Sequence, residues 1–193
     1  MAANPLRTAE GSAAAQLGPV SEEGQARQTQ ALETDKKNSL TEYLRVSDEA
    51  WTNLSAVTQQ IDQTYSSFLE QLAEDNPDLK GAFFGFSVNK DGTLFVSYSE
   101  DLNKEQIDRL NKALNDDEGL VALANDLADA QIAVFNAHDG FNKQKALNRD
   151  NYGQSIDMGI DILTRHLARS APHDGSASSI HQSNWNSNWY NQI

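Results

Sequence analysis

AFFGFSVNKDGTLFVSYS, residues 82–99, alternates as only a strand pair does, and the remaining ordered chain reads as helices that must cover it. Asn89-Lys90-Asp91-Gly92 has the chemistry of a type I turn followed by a left-handed glycine, a loop that closes through a G1 bulge. That loop sets Val88 opposite Leu94, Phe86 opposite Val96 and Phe84 opposite Tyr98. Strand side chains alternate with period two, so these six share one apolar face. The other face carries Phe83, Gly85, Ser87, Phe95, Ser97 and Ser99, mostly small and polar. A lone two-stranded ribbon is marginal in water and needs helices on its aromatic face.

Outward from the hairpin, the upstream flank is one long stripe. Leu40, Leu44, Ser47, Trp51, Leu54, Thr58, Ile61, Tyr65, Phe68 and Leu72 are spaced alternately by four and three, which puts them on one side of a helix from Ser39 to about Asp75. Asn76-Pro77 stops it, because the residue before proline is pushed out of the helical region. The seven-residue period admits a homodimeric coiled coil through the Leu40–Leu72 stripe. Ser47, Thr58 and three aromatics in the seam favour packing within the chain instead. Ser47-Asp48-Glu49 also resembles a helix start, which would leave a short separate helix before it.

Downstream, Asn103 with Gln106 forms a capping box and Leu102 with Ile107 a hydrophobic staple, so a helix begins at Asn103 with Ile107, Leu110 and Leu114 inward. Asp116 or Asp117 caps the next helix, apolar around most of its circumference from Leu120 to Phe135 and stopped at Asp139-Gly140. Phe141 to Tyr152 reads as a polar loop. A last helix, about Gly153 to Arg169, places Ile156, Ile160, Leu163 and Leu167 on one face with Met158 and Ile162 alongside, and Arg165, His166 and Arg169 at the negative end of its dipole.

The fold class is therefore α+β: a mostly helical domain of about four helices packed on one antiparallel hairpin, with disordered tails at both ends. The division runs 1–38 leader, 39–170 domain of order helix, hairpin, helix, helix, helix, and 171–193 aromatic-containing tail. The leader is rich in Ala, Ser, Gln, Thr and Glu and cannot bury enough surface to offset the entropy of ordering. It resembles, in composition and over about 37 residues, the amino-terminal signals of bacterial type III secretion substrates. An ordinary flexible tail accounts for the same residues.

Of the 193 residues, 28 are acidic and 15 basic, a formal net charge of -13. That field repels phosphate backbones and anionic lipid, so nucleic acid is excluded as a partner and a basic protein surface is favoured. No cysteine is present, which removes disulfides, thiol catalysis and thiolate metal sites. No stretch reaches the roughly 18 consecutive apolar residues of a membrane helix, and no secretory signal pattern opens the chain. The chain reads as soluble, either secreted without a cleaved signal peptide or cytoplasmic.

Four motifs bear on chemistry. The hairpin turn matches a calcium loop at Asn89, Asp91 and Gly92, but Ser87 and Tyr98 stand where its first ligand and bidentate Glu are required. Gly85-Phe86-Ser87-Val88-Asn89 is a nucleophile elbow without its final glycine, and it leads into a strand rather than a helix. His138, His166, His173 and His181 lack zinc-site spacing. The acids Glu74-Asp75-Asp78, Glu100-Asp101 and Asp116-Asp117-Glu118 sit at element ends, where carboxylates cap helices. No catalytic, cofactor or metal residue is assigned. Trp185, Trp189 and Tyr190, set among Asn, Ser and Gln, are assigned as partner-binding, with folding back onto the domain as the alternative, because aromatics dominate binding energy and are costly to leave in water. The functional expectation is a non-enzymatic acidic protein-interaction protein, a type III-like secreted effector. The alternative is a cytosolic acidic chaperone or adaptor for an export substrate; a metal-dependent hydrolase has least support.

Overall fold

In a computed structural model that describes residues 22–138 and 146–170, the hairpin forms as strands β1 (Phe84–Val88) and β2 (Leu94–Ser99). Around it lie α1 (Glu22–Asp75), α2 (Lys104–Asp116), α3 (Glu118–His138), the single turn α4 (Tyr152–Ser155) and α5 (Met158–Ser170). This is the expected α+β architecture, with one helical turn more than the sequence indicated. The chain divides into two units between Glu42 and Tyr43.

In the first unit, α1 already runs from Glu22, well before the expected start at Ser39. Residues 25–40 include Ala, Arg, Gln, Glu, Lys and Leu, all good helix formers, and no glycine or proline interrupts them. Thr34 and Thr41 turn their hydroxyls onto the carbonyls of Gln30 (2.8 Å) and Lys37 (2.9 Å), four residues back. Leu32 and Leu40 are exposed. Residues 1–21 of the expected leader lie outside the described residues, as do Asp139-Gly140 and the tail with Trp185, Trp189 and Tyr190.

In the second unit the stripe of α1 becomes core from Leu54 onward: Leu54, Val57, Ile61, Tyr65, Phe68 and Leu72 are buried. The lower half of the Leu40–Leu72 seam closes on its own chain. The helix is unbroken at Ser47 and ends at Asp75, followed by a 3₁₀ turn at Pro77–Leu79. Tyr65 sets its ring against Phe86 (centroids 5.1 Å apart) and Phe84 (6.4 Å).

The hairpin register holds as expected from the turn to Phe86↔Val96 and then slips. Gly85 pairs with Tyr98 and Phe84 with Ser99, leaving Ser97 as the extra residue of a β-bulge. Tyr98, expected in the core opposite Phe84, is turned outward and meets exposed Phe83 edge-on at 6.1 Å. The bulge has a cause sixty residues away. The Ser97 hydroxyl donates to Asp157 Oδ2 (2.6 Å), while Asp157 Oδ1 accepts from the Ile160 N–H (2.9 Å) and so caps α5.

The second correction concerns the face expected to be polar. All five residues of β1 are buried, because α4 and α5 lie on the side of Gly85 and Ser87. Ser87 donates to the Ile156 carbonyl (2.6 Å). A Cβ on Gly85 would collide with the Asp157 carboxylate, and one on Gly159 would sit 3.1 Å from the Phe84 carbonyl and the Phe86 nitrogen. The small residues mark close approach of a helix, not contact with water.

Three asparagines hold the hairpin from the other side. On α2, one turn apart, Asn115 donates to the Leu94 carbonyl (2.8 Å) and accepts from its N–H (2.9 Å), and Asn111 accepts from the Val96 N–H (2.8 Å). On α3, Asn125 donates to the Gly92 carbonyl (2.8 Å). The capping box of Asn103 with Gln106 is formed, and Asp117 caps α3 through the Leu120 N–H (2.9 Å).

The region expected as a polar loop up to Tyr152 carries two core side chains. Leu147 and Tyr152 are fully buried, and Arg149 ties the segment to α3 through Asp129 (2.7 Å) and the Asn125 carbonyl (2.8 Å). The last helix consequently starts at Met158 rather than Gly153. Its buried face is Met158, Ile162 and Arg165, whereas Leu163 and Leu167, expected inward, are exposed.

Candidate docking groove over a buried ionic network

Helices α1 and α5 and the entry to β1 enclose a groove of about 220 Å³. Tyr65, Phe84 and Ile162 form its buried floor. Its rim is apolar and open: Leu69 is 38 % exposed, Phe83 45 % and Leu163 39 %. Asp62, Ser66 and His166 supply the polar edge. The volume falls below the roughly 300–1,000 Å³ of small-molecule sites and suits a side chain of a protein segment.

Beside the groove a hydrogen-bonded network joins four helices. Tyr152 donates to Gln131 Oε1, Gln131 donates to Asp161 Oδ2 (3.1 Å), and Arg165 bridges Asp161 and Asp62 Oδ1 (2.8 Å to the latter). Arg169 stands 2.8 Å from Asp62 Oδ2. Two arginines against two aspartates leave the network formally neutral, which is how charges are tolerated where Arg165 and Asp62 retain only a tenth of their side-chain exposure. Burial alone would lower the Arg165 guanidinium, but the Asp161 and Asp62 carboxylates outweigh it and hold it above its ordinary value. The placement of Arg165 at the negative end of the α5 dipole does not by itself bring out this role. The available signals were Asp161 and Arg165 four residues apart between apolar positions, and Gln131 on an otherwise apolar helix.

Two tyrosines are raised above the ordinary phenol value, each first by burial: Tyr65, with the Asp157 carboxylate adding to it, and Tyr152, with Asp161 adding to it. Their native forms keep the proton after the unfolded chain has lost it, so this stability is complete below about pH 10 and declines above it, by about 1.4 kcal/mol per pH unit for each tyrosine. Urea unfolding at stepped alkaline pH should show that decline, and Tyr152→Phe should reduce its slope. A midpoint level up to pH 11.5, about one and a half units above the free phenol value, would contradict it.

The residues singled out for chemistry are engaged structurally. Asp91 Oδ1 accepts from the Thr93 N–H (3.0 Å) and hydroxyl (2.7 Å), which hold its carboxyl below the usual range, and Gly92 takes φ +88° as the turn requires. Ser87 is fully buried on its strand. Asp75, Asp116 and Asp117, from two of the acidic clusters, come together in a cleft of about 450 Å³ with Arg109 and Lys112. There Asp75 accepts from Gln71 (3.0 Å), Asp116 pairs with Lys112 and Asp117 caps α3. Asp78 is held low first by its hydrogen bond from Arg109. His166 borders the groove, while His173 and His181 lie outside the described residues. Among the described residues no three His, Asp or Glu side chains are grouped to hold a metal ion, and no helix is long and apolar enough to cross a membrane.

Set against known protein families, curated proteins and solved structures, the chain matches none. Function therefore rests on the geometry.

Proposed function

We propose that this chain is a non-enzymatic protein-interaction protein that receives an amphipathic helix of a basic partner on the upper part of its α1 stripe. The observation that carries the reading is the exposure of Tyr43 (36 %), Leu44 (55 %), Val46 (41 %) and Trp51 (38 %). At 100° per residue these four fall on the same half of the helix as Leu54, Ile61 and Tyr65. An apolar stripe that serves as core for about five turns and continues toward the start of α1 with exposed side chains is suited to helix-against-helix recognition, with spaced large side chains as anchors. The net charge of -13 supports a partner with basic flanks, since like charge across an interface opposes association.

Leu44→Glu is the test. An anchor of this kind is worth about 2 kcal/mol or more, roughly a thirtyfold loss of affinity. A protein captured from extract of the source cells by the wild type, and recapturing it in reverse, should be lost with Leu44→Glu while helix content and melting stay unchanged. Equal capture by both would remove α1 as the docking surface. A wild type that sediments as a dimer and a variant that sediments as a monomer would make the partner a second copy of the chain.

A further inference from the structure

We propose that residues 171–193 of this same chain occupy the groove between α1 and α5, one ring of Trp185, Trp189 and Tyr190 entering it and the others lying on its apolar rim. The groove presents a cluster of exposed apolar side chains, Leu69, Phe83 and Leu163, and Leu167 one turn further along α5 extends it toward Ser170. Ser170 is where the final segment begins. From there back to Gly159, the far end of the groove on α5, is roughly 17 Å at 1.5 Å per residue. The fifteen residues from Ser170 to Trp185 can span up to about 50 Å, so the anchors reach every part of the groove.

Composition fits that occupant. Residues 171–193 hold one acidic side chain, Asp174, and no lysine or arginine. In a chain of net charge -13 a segment with one carboxylate meets an acidic domain with little repulsion. Large amphipathic rings suit a site with an apolar floor and a polar edge of Asp62, Ser66 and His166. Tethering supplies a local concentration in the millimolar range, so a groove of weak intrinsic affinity is filled by its own chain before a free peptide competes.

The chain has three tryptophans, so Trp51→Phe leaves only Trp185 and Trp189 emitting. In that full-length variant the emission should be blue-shifted and shielded from acrylamide at all protein concentrations, and adding Leu163→Lys should shift it to the red and expose it to quencher. Solvent-like emission, or a blue shift indifferent to Leu163→Lys, overturns the proposal. A blue shift that grows with concentration assigns the groove to a second copy and overturns it too. Because the natural chain has no cysteine, a Leu163→Cys/Ser187→Cys pair gives a readout independent of that lysine. Oxidation to an intramolecular disulfide in dilute solution is expected, and cross-linked dimers or no bond would count against the tail seating on its own groove.

Discussion

Replacing Arg165 by methionine should destabilise the domain by about 3–5 kcal/mol, the cost of removing one partner from a buried ion pair. Arg165 is the only described group that touches both Asp161 and Asp62, whose side chains keep 15 % and 10 % of their exposure. Methionine preserves much of the apolar stem but leaves Asp161 with only the Gln131 amide as donor and Asp62 with Arg169, which is 57 % exposed. The carboxylates must then take protons or water inside the fold. Urea unfolding at neutral pH measures the loss, and Asp161→Asn in the Arg165→Met background should recover part of it. A loss below about 1 kcal/mol, or no recovery, would mean that the pairing is not what holds α5 to α1.

Phe86→Ala should cost a similar amount, about 3–5 kcal/mol, as deletion of a fully buried aromatic leaves a cavity that its surroundings only partly fill. Phe86 is 0 % exposed, faces Tyr65, and belongs to a strand covered on both sides. Tyr98, on the facing strand and 42 % exposed, is the control: its replacement by alanine should cost about 1 kcal/mol or less. Denaturation midpoints of the two variants therefore read out the orientation of the hairpin. Equal losses would mean that the strand does not sit between helices as described.

The parts of this fold written in local chemistry were legible. The turn at Asn89–Gly92, the pairing out to Phe86↔Val96, the capping box of Asn103, the cap at Asp117 and the proline stop after Asp75 each depend on residues within a few positions of one another. What escaped depends on distant partners. The bulge at Ser97 follows from Asp157, and burial of the Gly85 and Ser87 face follows from α5, so small residues that mimic a wet surface are in fact a seat for a helix. Misplacing the start of α5 rotated its expected face and sent Leu163 and Leu167 inward on paper, when they point out and line or flank the groove. The early start of α1 was missed for a different reason. Hydrophobic period marks where a helix is buried, while good helix formers let it continue where nothing covers it.

The two asparagines of α2 have a consequence for how anything can bind. By giving β2 both a donor and an acceptor along its outer margin, Asn111 and Asn115 occupy the backbone groups that an incoming extended peptide would need. Recognition by β-augmentation, in which a partner adds itself as a third strand, is closed along β2. A ligand that approaches β2 has to be read through side chains and helix faces, and the hairpin does not offer that edge as a template for aggregation.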